Sequence, residues 1–529
     1  MSQKLLRRLA FAAPFAIIGL FIGIAALRLN FPAVHYDEAL YVNAALGGVD
    51  NTTFMTKTVG PFPVLLMPYI GALKSYLYMP IFYVFGVHPV SMRLPSLIFM
   101  GVGLYVLYAL LQKRLGRMLA LGTLLATATS ASFIIFSRLD FGPVVLDFVL
   151  KVIGLLLLLR FVEKRRLSLL IPFWGVMFLG VFNKLNFLWY VNAYVFGFLV
   201  VWGRDFWCKT PLRDIKRLVA LSAMGFAACA GYVLLINKTY SIGGAFGFVG
   251  WHYAYGTLQE LVSGSWFYGY AFSPQPLGSP LFFWFMAAVI VAGGLYTLYA
   301  RHTKQAVAAS ITRLYGFSAA VLLAILAQAA ITKQATAGWH YFAVYPFFTL
   351  LFVLGLYVLL GATFRHRQQW VRLGFAATLA ATSIYQLGLY RAYFEALSKP
   401  TSNISWSPAL YKLLNFTRAH PHSQFMSLDW GLQSELLALD PVPNKYFEVL
   451  GPLRLTDPTE NNHLFQTYLA SKTQAYYIGH AVGQEITPTT RADILKLAAQ
   501  HGYTLDSVEK IGDGHQTIFV LYHFTPASN

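Results

Sequence analysis

Two adjacent carboxylates, Asp37 and Glu38, stand in HYDEALYVN directly after the first long apolar run of a 529-residue chain. Side by side at a membrane boundary they repel each other and lose solvation, so they add no stability there; such a pair suits a general base or a cation site. The structural alternative is a helix cap, with Asp37 preceding the helical stretch EALYVNAAL, and one residue can do both. Acids are scarce over residues 1–399, which hold ten, among them Asp50, Asp140, Glu260 and Glu395 on the expected outer face. Asp140 lies in FSRLDFG, two residues after Arg138, where a local ion pair competes with a catalytic role. Asp147 and Lys151, four apart on one helical face, are expected to neutralise each other. Lys184 in VFNKLNF either snorkels to the interface or meets a lipid phosphate. Lys57, Lys333 and His340 (in GWHYFAVYP) are candidates of the same kind, and a lone histidine there reads as a hydrogen-bonded structural group before a metal ligand. No HExxH, paired CxxC, P-loop or GxSxG is present, which argues against zinc hydrolase, NTPase and serine hydrolase chemistry.

The elements that must position these groups are membrane helices. Hydrophobic residues make up 57% of the chain and charged residues 12%, against about 25% charged in a soluble domain. Apolar runs recur at 10–28, 94–111, 118–136, 142–160, 167–183, 187–203, 218–236, 279–300, 313–331, 341–361 and 371–391. They predict an α-helical polytopic membrane protein with about eleven spans, since lipid offers the backbone no hydrogen-bond partner. The first run reads as a retained anchor because further spans follow it. Basic clusters at Lys113–Arg117, Lys164–Arg166, Arg204–Arg217, Arg301–Arg313 and Arg365–Arg372 fall on alternate connections and place those inside. The net charge of +19 is therefore a topology signal, not a nucleic-acid footprint. Cys208 and Cys229 fall in an inner loop and a span and form no disulfide framework.

Three regions stand apart from the spans. Within a membrane domain over 1–399, the first outer loop, 29–92, carries aromatic stretches around Glu38–Leu46 and Tyr69–Phe85 that suit helices lying at the interface. The outer loop 237–278, with GGAFGFVGWHYAYG and SGSWFYGYAFSPQP, suits either a sugar-binding lid or an aromatic belt. In the tail, 400–529, Asp and Glu number 11 against 8 Lys and Arg. Helical SPALYKLLNFTRAH and RADILKLAAQHG alternate there with extended QFMSLDW and QAYYIGH, and a DG turn precedes TIFVLYHF. This predicts a small α/β domain ending in a hairpin, outside the membrane.

HYDEALY after the first span, YIGALKSYLYMPIFYVFGVHPVSMRLPS before the second, the basic turn LQKRLGR, SRLD after the third and FNK after the fifth occur in an order that resembles the GT-C glycosyltransferases of the protein O-mannosyltransferase and lipid A aminoarabinose transferase type. The resemblance covers about 30–200 well. It implies a GT-C-like fold and transfer of a sugar from a polyprenyl-phosphate-linked donor to an envelope glycan, lipid or protein acceptor. By position, Asp37 would be the catalytic base, Glu38 its motif neighbour and Asp140 a second acid near the acceptor. Lys184 would face the donor phosphate, with Arg138, Lys57 and His340 on the same side. The chain reads KTVGPFP where relatives often have Lys-Pro-Pro-Leu, which leaves the role of Lys57 open. Some relatives hold a divalent metal at the acids, and the metal is left unassigned here. The absence of outer cysteines and retention signals points to a bacterial inner membrane with the site facing the periplasm. The rival reading is a transporter or flippase of lipid-linked saccharides, which needs a polar path at the bilayer midplane.

Overall fold

A computed structural model describes residues 3–47, 57–67, 69–140, 142–240, 250–267, 278–303, 307–332, 337–397, 406–449, 453, 455–470 and 475–527. Asp50, Lys333 and most of the glycine- and aromatic-rich parts of the loop 237–278 lie outside these residues. The helices are α1 Gln3–Ala25, α2 Tyr36–Ala45, α3 Leu73–Phe85, α4 Pro89–Leu115, α5 Arg117–Ala128, α6 Ala131–Leu139, α7 Val144–Lys164, α8 Leu170–Asn183, α9 Leu188–Phe198, α10 Arg204–Lys209, α11 Leu212–Tyr240 and α12 Trp251–Ser263. Then come α13 Pro280–His302, α14 Ala309–Ala330, α15 Gly338–Tyr341, α16 Phe347–Thr363, α17 Gln368–Leu397, α18 Ala409–Ala419, α19 Leu432–Leu439, α20 Pro458–Phe465 and α21 Pro488–Gln500.

Every apolar run coincides with a helix or a bent pair of helices. Among the described residues, five helices are long and apolar enough to cross a membrane: Pro89–Leu115, Leu185–Lys209, Leu212–Thr239, Pro280–His302 and Ala309–Ala330. Two bent pairs, Arg117–Ala128 with Ala131–Leu139 at 63° and Gly338–Val344 with Phe347–Thr363 at 44°, raise this to seven if each is one span. The larger figure of about eleven also counts α1, α7, α8 and α17. The apolar parts of α1 and α8 are short, and α7 carries Asp147, Lys151, Arg160, Glu163 and Lys164.

The chain forms two compact units, 1–27 with 57–74 and 93–394, and 28–56 with 75–92 and 395–529. In the first unit α7 packs on α8, α8 on α11, α9 on α14, and α16 on α5, α13 and α14. The break between α5 and α6 is satisfied by side chains, as a helix start buried in protein requires. The Ala131 amide donates to Gln386 Oε1 at 2.9 Å, and the Ser130 and Tyr345 hydroxyls are 2.7 Å apart. Strands β1 Lys57–Val59, β2 Phe62–Met67 and β3 Ile70–Gly71 form an antiparallel sheet in that order. Ile70 pairs further with Lys184.

The second unit joins parts of the first outer loop to the tail. Its sheet runs β5-β4-β6-β8-β7, with β4 Gln424–Ser427, β5 Tyr446–Glu448, β6 Ala475–His480, β7 Tyr503–Gly512 and β8 Thr517–Pro526. β4 is parallel to β5 and β6, and β6–β8 and β7–β8 are antiparallel. Both expected extended runs are therefore strands, both expected helices form (α18 and α21), and the Asp513–Gly514 turn closes the expected hairpin. The core joins Met426, Leu428, Tyr477, Ile494, Leu497, Val520 and Phe524. α3 leaves Tyr83, Val84 and Phe85 exposed, as an interfacial helix would. α2 does not lie on a surface: it is buried from Asp37 to Ala45 and packs on α19.

Gly71 shows how tightly β3 meets the end of α8: a Cβ there would fall 1.7 Å from the Phe182 carbonyl oxygen. Gly71→Ala is expected to lower stability by about 1–3 kcal/mol, the usual cost of overpacking, read as a fall in Tm of the detergent-solubilised protein.

Candidate active site

The acidic pair sits at the start of α2, in the second unit. The N-cap is His35, two residues before the expected cap at Asp37. The Asp37 amide donates to His35 Nδ1 at 3.3 Å, and the His35 amide donates to Glu38 Oε2 at 3.1 Å, a reciprocal capping box. Asp37 and Glu38 are therefore both in the first turn, where the helix dipole favours negative charge. They are also buried, at 7% and 4% exposure.

The tail supplies the surroundings of this turn. His35 stacks on Trp406 with ring centroids 4.5 Å apart, and Tyr36 meets Trp430 at 4.2 Å. The Asn43 side-chain amide donates to the Ser434 carbonyl at 3.1 Å. Gly431 has φ +88, and a Cβ there would lie 2.9 Å from that of Tyr36, so only glycine fits without strain. Glu435 keeps some surface exposure, yet burial of its carboxyl and the charge of Glu38 hold its pKa well above the usual carboxylate range. Glu448 accepts the Gly431 amide at 3.0 Å; burial and the charge of Asp429, only partly opposed by that hydrogen bond, push its pKa up to about 7. Asp429 behaves oppositely. Burial pushes it up, but donors from His480 and Thr487 outweigh that and leave it below its ordinary value. His480 Nδ1 is 2.5 Å from its carboxylate, and the Thr487 amide and hydroxyl are each at 2.8 Å.

In the first unit the centre is Asp140, 2% exposed. It ends α6 in a left-handed conformation, φ 47. Lys74 Nζ lies 2.6 Å from Oδ2, the Ser96 hydroxyl donates to the same oxygen at 3.1 Å, and the Val145 amide donates to Oδ1 at 2.9 Å. The local pair with Arg138 is replaced by this one. Arg138 instead donates to the Ala25 carbonyl at 2.7 Å and to that of Leu27, past the end of α1, and lies over the Phe394 ring.

Lys184 is 1% exposed rather than snorkelling. The amide of Leu185 donates to the Tyr69 carbonyl at 2.9 Å, and Lys184 Nζ lies 6.0 Å from the Tyr69 ring centre and 3.4 Å from where a Cβ on Gly142 would be. His340 packs on the same Tyr69 ring at 5.0 Å, with its Nδ1 3.3 Å from Asn186 Nδ2. Tyr69 thus brings Lys184 and His340 to one place. Lys57 stands on β1 opposite Leu65. Asp147 and Lys151 do not make the expected direct pair. Asp147 accepts from Asn183 at 2.8 Å, while Lys151 donates to Tyr190 and to the Ala343 carbonyl at 3.3 and 3.1 Å. Among the described residues no three His, Cys, Asp or Glu side chains converge.

The family model for dolichyl-phosphate-mannose-protein mannosyltransferases matches residues 72–229, a stretch that includes Lys74, Asp140 and Lys184. The structure of ArnT from Cupriavidus metallidurans bound to undecaprenyl phosphate superposes with a TM-score of 0.56 at 13% identity, over 98% of each chain. The chain shares the fold of that structure. Two Archaeoglobus fulgidus structures are similar in fold as well. The oligosaccharyltransferase tethered to an acceptor peptide has a TM-score of 0.54 and 13% identity, over 98% of this chain and 74% of that one. AglB with an inhibitory peptide and a dolichol-phosphate has 0.53 and 13%, over 93% and 72%. No curated protein sequence matches the chain.

Sequence reading did not single out Lys74, Ser96, Tyr69 or Glu435 as site residues. Lys74 lies inside the quoted motif YIGALKSYLYMP, but its partner Asp140 is 66 positions away. Glu435 lies in a tail helix with no motif of its own.

Two outcomes follow from the buried charges. Lys74→Met strands a buried carboxylate and is expected to cost about 3–5 kcal/mol, with Lys74→Met/Asp140→Asn recovering much of it in thermal unfolding. For Glu448 the folded pKa of about 7 exceeds its ordinary 4.5. The folded state then holds the extra proton, and stability falls as pH rises through that window. Glu448→Gln keeps an acceptor for Gly431 and is expected to raise Tm at pH 8, with a much smaller gain at pH 5.

Proposed function

We propose that the protein transfers a sugar from a polyprenyl-phosphate-linked donor to a glycan, lipid or protein acceptor on the outer face of a bacterial inner membrane. The observation that carries the reading is a buried Asp37–Glu38 pair, held at the first turn of the helix that follows α1 in a GT-C fold. The bound undecaprenyl phosphate of the Cupriavidus protein and the dolichol-phosphate of the Archaeoglobus protein support a lipid-linked donor. The eleven apolar helical segments provide the environment that a polyprenyl chain requires.

In the proposed reaction Asp37 takes the proton of an acceptor hydroxyl or amine as its oxygen or nitrogen forms a bond to the anomeric carbon. The bond from that carbon to the phosphate oxygen breaks, and polyprenyl phosphate leaves with the electron pair. Lys184 stabilises the negative charge growing on it. A single displacement inverts the anomeric centre. Glu38 fixes the turn through the His35 amide, and Asp140, held by Lys74, is the second acid on the acceptor side. Lys57 and His340 belong to the donor side, and Arg138 serves it by fixing the end of α1. Few charges lie within the spans, and the chief two, Asp147 and Lys151, are tied to Asn183, Tyr190 and Ala343, which weighs against a transport path.

Asp37→Asn keeps the shape of the side chain and is expected to leave expression and Tm unchanged while abolishing transfer. Mass spectrometry of envelope glycans from a deletion strain carrying either version reads this, and a glycan restored by the variant removes Asp37 as the base. Sugar flux across proteoliposomes with no new glycosidic bond would favour a flippase instead.

A further inference from the structure

We propose that the protein binds one anionic phospholipid in the groove between the inner ends of α4 and α7, with the headgroup phosphate between Lys113 and Arg160 and the upper acyl chain on the apolar wall beneath. The two helices are tied at two levels. Near the middle of α4, Gly103 lets them touch: a Cβ there would fall 3.0 Å from the Phe148 ring and 3.2 Å from Val149. Near their ends, Arg114 Nη1 lies 2.7 Å from Glu163 Oε1. Between these levels a groove of about 570 Å³ opens.

The lining of the groove changes character in one direction. Lys113, Arg114 and Arg160 stand at one end. One turn back along each helix come Ala109, Leu110 and Leu156, and a second turn back along α4 come Tyr105 and Val106. Positions four apart stack on one helical face, and the eight positions from Tyr105 to Lys113 cover about 12 Å. The Tyr105 ring stacks on Phe15 of α1 at 5.4 Å, which fixes that wall, and the small Ala109 leaves the groove its width. Charge at the basic end is not balanced. Glu163 meets Arg114 at 2.7 Å and Lys113 at 3.8 Å. Lys113 is 70% exposed, and Arg160 makes no ion pair or side-chain hydrogen bond among the described residues. Cations near the C-terminal ends of helices also meet the negative end of the dipole and mark the inner side. Neither role calls for an apolar groove beneath them. A free phosphate would use the cations and leave Tyr105, Val106, Ala109 and Leu156 idle. A phospholipid uses both, as basic pockets between membrane helices on the inner side suit anionic headgroups.

The test is native mass spectrometry of the full-length protein in detergent, titrated with dioleoylphosphatidylglycerol, dioleoylphosphatidylethanolamine or inorganic phosphate. The wild type is expected to hold one phosphatidylglycerol about twentyfold more tightly than phosphatidylethanolamine, the worth of two basic residues near a membrane surface. Lys113→Gln and Arg160→Gln are each expected to weaken it by about fivefold. Ala109→Phe keeps every charge and fills the groove, and is expected to bring phosphatidylglycerol down to the level of phosphatidylethanolamine. Equal binding of the two lipids by the wild type overturns the proposal. So does undiminished binding of phosphatidylglycerol by Ala109→Phe, which marks contact with the charged surface alone, or by Lys113→Gln/Arg160→Gln. Displacement of the lipid by inorganic phosphate at equal concentration overturns it as well. Lys113 and Arg160 are exposed, so their variants are expected to keep the wild-type Tm, and they decide the matter if Ala109→Phe fails to fold. Lipid retention is read without any sugar transfer, so the outcome is independent of the transferase reading.

Discussion

A carboxylate taken out of water must be met by a cation or by N–H and O–H donors, and Asp140 shows what that demands. Its two oxygens are met by Lys74 at the start of α3, Ser96 on α4 and the Val145 amide at the start of α7. Two elements distant in sequence and the start of the next helix are thereby fixed to one side chain at the end of α6. The left-handed backbone at Asp140 turns the chain so that α7 can begin. α7 in turn carries Asp147 and Lys151 to their partners on α8, α9 and near α15. Attraction at 2.6 Å offsets a large desolvation cost only when the remaining lone pairs are also met. The surrounding packing has to be accurate for that reason.

The same rule shapes the acidic pair on α2. There the helix start itself, the His35 capping box and the enclosing tail contribute to it. Carboxyl groups nearby divide by environment. Asp429, rich in donors, stays ionised. Glu435 and Glu448 are pushed towards the neutral form by burial and by neighbouring charge. A tail domain of ordinary α/β topology thus tunes the charge around a short helix from the other end of the chain.

The order of apolar runs, the tail strands and the final hairpin were legible because they depend on local periodicity and turn chemistry. The candidate acids were legible because charge is rare in an apolar chain. Partner choice was not. Arg138 beside Asp140 and Lys151 four residues after Asp147 are the natural local partners, and neither pairing forms. In each case a more distant donor arrives with better geometry once the helices pack. Nor did the pattern around Glu38–Leu46 show that α2 is buried on all sides, since the covering groups come from residues 406–434.

Sequence alone determined that this chain is a polytopic helical protein with an α/β tail, and that Asp37, Glu38, Asp140 and Lys184 are the groups to watch. Hydropathy, strand alternation and charge scarcity are properties of short segments, and they survive whatever the fold. Tertiary structure decided what those groups touch: Lys74 on Asp140, Tyr69 between Lys184 and His340, Trp406 on the His35 ring that caps the turn of Asp37. Hydrogen bonds and ion pairs act over about 3 Å, and residues dozens or hundreds of positions apart come that close only when the chain has folded.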